Sequence, residues 1–356
     1  MLNANYNVIG MMSGTSLDGV DLAHIKFSIN NGKWSYEIKE SETIPYTENW
    51  INQLKNGIHL DLDSLQVLDK NYTELIAEIT NHFILKNKLQ DVDFICSHGH
   101  TILHQPQNGI TLQIGNLPEL AQKTKHKVIC DFRVQDVAMG GQGAPLVPIG
   151  DQLLFSEYDF CLNLGGFSNI SFNRQSKRIA FDISPVNTVL NFYAEKLGHN
   201  FDQGGSIAKS GELNKSLYDE LNNLPFYSQK FPKSLGFEFV HTTILPIMEK
   251  HALNIPDLLY TFTEHIAYQI GTIVKGVKGS MLITGGGAYN TFLIERIKQH
   301  CTSIRCDIPN KKTIEFKEAL IFGLLGVLRE RKEINTLASV TGAKQDHCSG
   351  KIFLPN

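Results

Sequence analysis

GMMSGTSLDGVD, Gly10 to Asp21, interrupts an apolar run (Val8 to Met12) and gives way to another (Val20 to Ser28). Between Ser13 and Asp21 stand two glycines, three hydroxyl side chains and two aspartates. The flanking runs and the alternating segment Lys33 to Ile44 predict three strands joined by short turns, so this loop is the first turn of an antiparallel meander. No G-x-x-x-x-G-K-[ST] occurs in the chain, and no G-x-G-x-x-G opens a helix, which removes the P-loop and dinucleotide readings. A hairpin loop of this composition still offers an anion its backbone N–H groups and the hydroxyls of Ser13, Thr15 and Ser16. Asp18 and Asp21 could then hold water around Mg²⁺, a cation that takes few carboxylates and keeps several waters. The plainer alternative for both is hairpin chemistry, since Asp-Gly is a favoured turn pair.

The rest of the chain limits what the loop serves. At 356 residues it exceeds one ordinary domain of about 100 to 200 residues, so two lobes with a cleft are expected. With 33 Lys and Arg against 36 Asp and Glu, a net charge of −3 and no dense basic cluster, nucleic acid and anionic membrane are poor partners. The N-terminus shows neither a basic n-region nor a long apolar h-region, and the longest apolar run, Ala319 to Leu328, is half of the roughly 20 residues that span a bilayer. A cytoplasmic protein is expected. Six cysteines without C-x-x-C spacing read as reduced, buried thiols.

Apolar residues at helical spacing from Leu62 to Phe83 predict a long amphipathic helix over Asp61 to Lys86. Asp93 to Ser97 reads as a short buried strand. The glycine- and proline-rich stretch Cys130 to Asp151 is the candidate hinge or substrate loop. The pattern then restarts: a strand (Phe160 to Leu164) ends in GGFSN, strands follow at Ile170 to Phe172 and Arg178 to Asp182, and a helix runs over Val186 to Leu197. Near the end, MLITGGGAYN reads as a strand, a triple-glycine turn and a helix starting around Asn290, a geometry suited to a phosphate or nucleotide.

This order of glycine turns resembles the superfamily of acetate and sugar kinases, heat-shock proteins and actin. GMMSGTSLDGVD, SHGHT (Ser97 to Thr101), DFR with GGQGAPLVP (Asp131 to Pro148), NLGGFSNI (Asn163 to Ile170), FDISPVN (Phe181 to Asn187), FPKSLG (Phe231 to Gly236), TEHIA (Thr263 to Ala267), TGGGAYN (Thr284 to Asn290) and SVTGA (Ser339 to Ala343) are collinear. Together they resemble the anhydro-N-acetylmuramic acid kinase family. The resemblance implies an α/β, two-lobed actin-like ATPase fold, each lobe a ribonuclease-H-like mixed sheet flanked by helices. An N-terminal lobe over residues 1–134, with 345–356 a candidate to complete it, and a C-terminal lobe over 135–344 are expected. The implied reaction uses ATP and Mg²⁺ to phosphorylate O6 of 1,6-anhydro-N-acetylmuramic acid while water opens the internal bridge, in cell-wall recycling. The family also suggests a homodimer.

By the same resemblance Asp182 is the catalytic base, the alternative being a cap on the helix that follows. Gly14, Thr15, Ser16, Leu17, Asp18, Gly19, Val20 and Asp21 meet the ATP phosphates, Asp18 and Asp21 also reaching the metal through water. Gly165, Gly166 and Asn169 form a second phosphate turn, and Gly285, Gly286, Gly287 and Asn290 pack on the adenosine. His98, Thr101, Arg133 and Glu318 belong to the sugar side. For Arg133 a surface pair with Asp131 or Asp136 is the alternative, and for Glu318 a solvated helix face. His98, His100 and His104 form an H-x-H-x3-H pattern without the further ligands a zinc site needs, and His100 replaces the family's usual glutamine. The chain departs from the family at Ile183, Ser184 and Val186, which stand in a stretch the family makes glycine-rich. That restricts the turn if it needs φ > 0, and leaves a non-catalytic, nucleotide-gated sugar-binding protein of the same fold or a kinase for a related anhydrosugar as alternatives. An ATP-independent anhydrosugar hydrolase is a further one.

Overall fold

The computed structural model describes residues 4–14 and 16–355. Its chain divides into two compact units, one formed by Met1–Leu154 with Phe316–Asn356 and one by Phe155–Glu315.

In the first unit, β1 (Ala4–Met12), β2 (Gly19–Asn30) and β3 (Lys33–Pro45) pair antiparallel, as their alternation predicts. β4 (Phe94–Ser97) and β7 (Val128–Cys130) then add in parallel beside β1. β5 (His100–Gln105) and β6 (Ile110–Ile114), a hairpin of their own, lie between these two in sequence. The helix Leu62–Lys86 opens on Asp61, whose carboxylate accepts from the Ser64 N–H at 2.8 Å. It buries Leu65, Leu68, Tyr72, Ile76 and Phe83 along one stripe, the spacing that made it legible.

The second unit repeats the plan. β8 (Phe160–Leu164), β9 (Phe167–Arg174) and β10 (Lys177–Pro185) are antiparallel, and β11 (Gly279–Thr284) and β12 (Ile304–Asp307) add in parallel beside β8. Each sheet therefore has three antiparallel strands followed by two parallel ones, the ribonuclease-H-like arrangement used twice. β13 (Lys351–Phe353) completes the first sheet by pairing with β7.

The apolar run Ala319 to Leu328 is the interior of the helix Lys311–Glu330, and its residues are almost fully buried in the first unit. None of the described helices is long and apolar enough to cross a membrane. Small residues let this helix lie close to the sheet: a Cβ on Gly10 would fall 2.0 Å from the Ala319 carbonyl oxygen, and one on Gly326 would fall 2.1 Å from Cys96 Sγ.

The unit boundaries fall at 154/155 and 315/316, where the sequence reading places them at 134/135 and 344/345. Packing explains the difference. The helix Val147–Leu154 touches Ile321 at Gly150, and Asp151 pairs with Lys317 at 2.8 Å, both inside the first unit. The stretch expected as a hinge is likewise pinned: buried Asp136 accepts from the Gly143 N–H and the Thr341 hydroxyl, each at 2.7 Å. All six cysteines are free, four buried and Cys306 and Cys348 half-buried.

Gly326→Ala tests the helix contact. Despite the roughly 1 kcal/mol helix gain of Ala over Gly, it lowers stability in urea unfolding, and Cys96→Ala in the same chain recovers part of the loss, a coupling of at least about 0.5 kcal/mol between contacting sites.

Candidate active site

The hairpin loop begins where β1 ends. Leu17 donates its N–H to the Gly14 carbonyl at 3.3 Å, and Leu17 itself sits at φ 61°. Gly19 runs against β3, where a Cβ would stand 2.2 Å from the Ile44 oxygen. Ser16 and Asp18 are exposed, Gly14 and Leu17 half-buried, and Val20 lies in the core, so Val20 contributes backbone only. Asp21 is half-buried and accepts from the Thr43 hydroxyl at 2.6 Å. Thr15 lies outside the described residues.

Ser13 corrects the sequence reading. Its hydroxyl turns inward, 2.6 Å from the Tyr46 hydroxyl and 2.8 Å from His100 Nδ1, with Tyr46 in turn bonded to Tyr72. Ser13 thus anchors the loop from beneath, and His100 is its partner.

His98 follows β4 and is buried, with its ring 4.6 Å from that of Phe322. Burial first, and then the neighbouring Arg133 charge, hold its pKa well below the ordinary value. The neutral ring bonds at both nitrogens, Nδ1–H donating to the Gly99 oxygen at 2.9 Å and Nε2 accepting from Arg133 Nε at 2.8 Å. Arg133 also donates to the Gly143 oxygen at 2.7 Å. Desolvation lowers its pKa to about 10, opposed by Glu318 and Asp136, so it stays charged at neutral pH. The alternative surface pairing falls away, because Asp131 pairs with Lys351 at 2.6 Å and Asp136 is spent on the loop. Glu318 is exposed, and the charges acting on it are those of Arg133, Asp21 and Lys317. Thr101, on β5, accepts instead from Gln113 at 3.3 Å. Among the described residues no trio of His, Cys, Asp or Glu could hold a metal, and the three-histidine pattern is spent on hydrogen bonds.

In the second unit, register builds the site. Asn163, Asn169 and Asp182 stand directly opposite one another on β8, β9 and β10, so their side chains share one face of the sheet. Asp182 is half-buried; desolvation raises its pKa, and one hydrogen bond opposes that rise, the Leu235 N–H donating to Oδ2 at 2.8 Å. It caps no helix: the next one starts at Asn187 with Val186 in the capping position. A bulge lies between Asp182 and Ser184, and no residue from Ile183 to Val186 has a positive φ. The turn therefore accommodates non-glycine residues there.

The turn Gly165–Gly166 joins β8 to β9, and its carbonyls receive the N–H groups that open the helix Asn187–Glu195: Val186 and Thr188 donate to Gly166, Asn187 to Gly165. The triple-glycine turn meets the same place from β11. A Cβ on Gly285 would strike Asn163 Oδ1 at 2.6 Å, and one on Gly287 would strike Leu164 Cβ at 2.7 Å. Asn290 caps the helix Thr291–His300, accepting from the Leu293 N–H at 3.0 Å. Beside these turns lies a cavity of about 600 Å³, lined by Gly286 and Asn290 together with Asn187, Asn191, Phe201 and Gly204. Gly285 and Gly287 serve close packing, and Gly286 and Asn290 face the cavity. Its far wall, Phe201 to Gly204, was missed in the sequence, although its Asp-x-Gly-Gly cluster is a turn signal.

Two ribonuclease-H-like units, one with a glycine hairpin loop and one with paired glycine turns beside a cavity, have the plan of the actin-like ATPase class, and the family match makes the chain a phosphotransferase within it. The chain belongs to the anhydro-N-acetylmuramic acid kinase family, whose model matches residues 6–355. Relatives bearing that name include one from Hydrogenovibrio crunogenus, 32% identical over 98% of both chains, and one from Haemophilus influenzae, 35% identical over 97% of both. Among solved structures, the chain is similar to the (R)-2-hydroxyglutaryl-CoA dehydratase component A of Acidaminococcus fermentans (TM-score 0.44, 11% identity, 92% of this chain and 100% of that one). It is also similar to a ROK family glucokinase from Streptomyces griseus in complex with glucose and AMPPNP (TM-score 0.37, 10% identity, 90% and 99%).

Burial also holds the His100 pKa down to about 4. A histidine neutral in the folded chain and protonated when unfolded contributes stability above about pH 6.5 that is lost as pH falls towards the folded value. His100→Asn, which keeps an amide near Ser13, accordingly flattens the plot of unfolding free energy against pH between 6.5 and 4 by about 1.4 kcal/mol per pH unit. Urea titrations at several pH values measure it.

Proposed function

We propose that the protein converts ATP, water and 1,6-anhydro-N-acetylmuramic acid into ADP and N-acetylmuramic acid 6-phosphate. The water oxygen bonds C1 as the C1–O6 bond breaks, and O6 takes the γ-phosphoryl group as its bond to the β-phosphate oxygen breaks. Asp182 accepts the proton of the attacking water and later returns it to solvent. The observation that carries this reading is the Asp182 carboxylate in a chain of this family: desolvation raises its pKa, Leu235 holds Oδ2, and Oδ1 has no hydrogen bond among the described residues. A carboxylate so placed suits a general base.

The N–H groups of the Gly14–Asp21 loop and the Ser16 hydroxyl bind phosphate oxygens, with the Gly165–Gly166 turn as a second phosphate contact. The cavity beside Gly286 and Asn290 takes the nucleoside. His98 and Arg133 act as one unit on the sugar, the guanidinium suiting the lactyl carboxylate, with Thr101 and Glu318 as further polar partners. Asp18 and Asp21 are hard oxygen donors without a third protein ligand, a set that fits a Mg²⁺ ion arriving with the nucleotide and keeping most of its waters. When bound, that ion neutralises charge on the β- and γ-phosphates. We place the protein in the cytoplasm, where ATP is at hand and six free thiols stay reduced.

Asp182→Asn lowers kcat by about 10²–10⁴-fold with little change in the KM for ATP, in an assay of sugar-dependent ADP release. Arg133→Met raises the KM for the sugar by at least about tenfold, the loss of a charge-assisted pair, and spares that for ATP. Equal activity of the Asp182 variant and the unaltered protein would remove Asp182 as the base.

A further inference from the structure

We propose that the segment Phe226–Gly236, which leaves the short helix Pro225–Ser228 and continues without helix to Gly236, is a strap that positions Asp182 for the reaction proposed above, on which this inference rests, and that Phe231 is its anchor. β10 is the edge strand of its sheet, so its outer backbone groups need partners that no neighbouring strand supplies. The strap runs along that edge. Asp182 donates its N–H to the Lys233 oxygen at 3.1 Å, and two residues on, the Leu235 N–H returns to Asp182 Oδ2 at 2.8 Å. Burial alternates along the strap, with Phe231, Lys233 and Leu235 half-buried and Pro232 and Ser234 exposed, the pattern of a strand laid on an edge.

Three contacts fix the strap. Phe231 stacks on Phe181, the residue before the base, with centroids 5.4 Å apart and planes at 9°, and the Arg174 guanidinium lies 5.3 Å from the centroid of the Phe231 ring. Lys233 Nζ donates to the Phe226 oxygen at 3.2 Å. At the start of the strap, the Tyr227 hydroxyl lies 2.8 Å from Nε2 of buried His265, whose Nδ1 lies 2.7 Å from Asn222 Oδ1. Phe231 thus grips one face of β10 while Leu235 reaches the carboxylate on the other, and the base keeps a single orientation with Oδ1 left to take a proton. Of the cations on these elements, Lys233 and Arg174 are engaged as above and Arg178 with the Ser171 hydroxyl at 2.7 Å, while Lys177 and Lys230 are exposed.

The strap makes Phe231, Lys233 and Tyr227 positioning residues, which act on the reaction only through Asp182. If Phe231 lets go, Leu235 N–H no longer holds the carboxylate. A carboxylate that loses a donor takes up protons at higher pH, so the acidic limb of the kcat/KM profile moves upward, and a misplaced base slows the chemical step.

The test measures kcat, both KM values and the pH profile for Phe231→Ala, Phe231→Leu and Phe231→Tyr. For Ala and Leu, the expected result is kcat lower by at least about tenfold, KM values within about twofold, and an acidic limb shifted up by about half a pH unit or more. Phe231→Tyr, which keeps the stacked ring, restores both readouts. Phe231→Leu retains most of the apolar volume and serves where Ala fails to fold. Folded variants with unchanged kcat and an unmoved acidic limb, or a loss confined to KM, would overturn the strap. Absence of sugar-dependent ADP in the unaltered protein would instead overturn the reaction itself, so the two failures are distinct.

Discussion

The first unit is organised around a place where two backbones touch. Gly10 on β1 lies so close to the Ala319 carbonyl that no side chain fits between them, and this seats the buried helix Lys311–Glu330 against the strand that leads into the Gly14–Asp21 hairpin loop. Glu318 is the residue before that contact, and Ser13 comes three residues after Gly10. The close approach therefore fixes, within one unit, the spacing between a helix carboxylate, the loop and the Arg133–His98 pair. Burial of the Ala319–Leu328 face supplies the driving force, since a fully buried Leu or Phe contributes about 1.5–3 kcal/mol. The small residues decide where that force brings the helix to rest.

The second unit solves the same problem with register. Three antiparallel strands put Asn163, Asn169 and Asp182 in one row, and the glycines of the β11 turn close on the Asn163–Leu164 end of it. A one-residue slip of any one strand would send its member of the row to the opposite face. The bulge after Asp182 and the strap beyond the edge strand then set the orientation of the carboxylate, while Gly165 and Gly166 tie the row to the helix that begins at Asn187.

Much of this was legible in the sequence because it rests on local pattern. Strand alternation, the stripe from Leu65 to Phe83 and the glycine turns placed both sheets, and the motif around Asp182 gave the candidate base. What was not legible depends on contacts between residues remote in sequence. The inward turn of Ser13 is set by Tyr46 and His100, which lie 33 and 87 residues away. The glycines of Cys130 to Asp151 suggested a hinge, yet one buried carboxylate, Asp136, pins them to Thr341. The strap carries no helical or strand periodicity strong enough to mark it, and its meaning appears only once Leu235 is seen to meet Asp182. The cavity wall from Phe201 to Gly204 had a turn signal but nothing to connect it to Asn290.

In the proposed reaction, water adds to the anomeric carbon with Asp182 as its base while O6 receives the phosphoryl group. Turnover in ¹⁸O-labelled water, with the phosphosugar analysed by mass in the first minutes, tests it most directly. One ¹⁸O at C1, none in the phosphate, and no labelled phosphosugar from the Asp182→Asn protein are the expected results. Label in the phosphate, or a phosphosugar that keeps its internal bridge and gains no water, would contradict it.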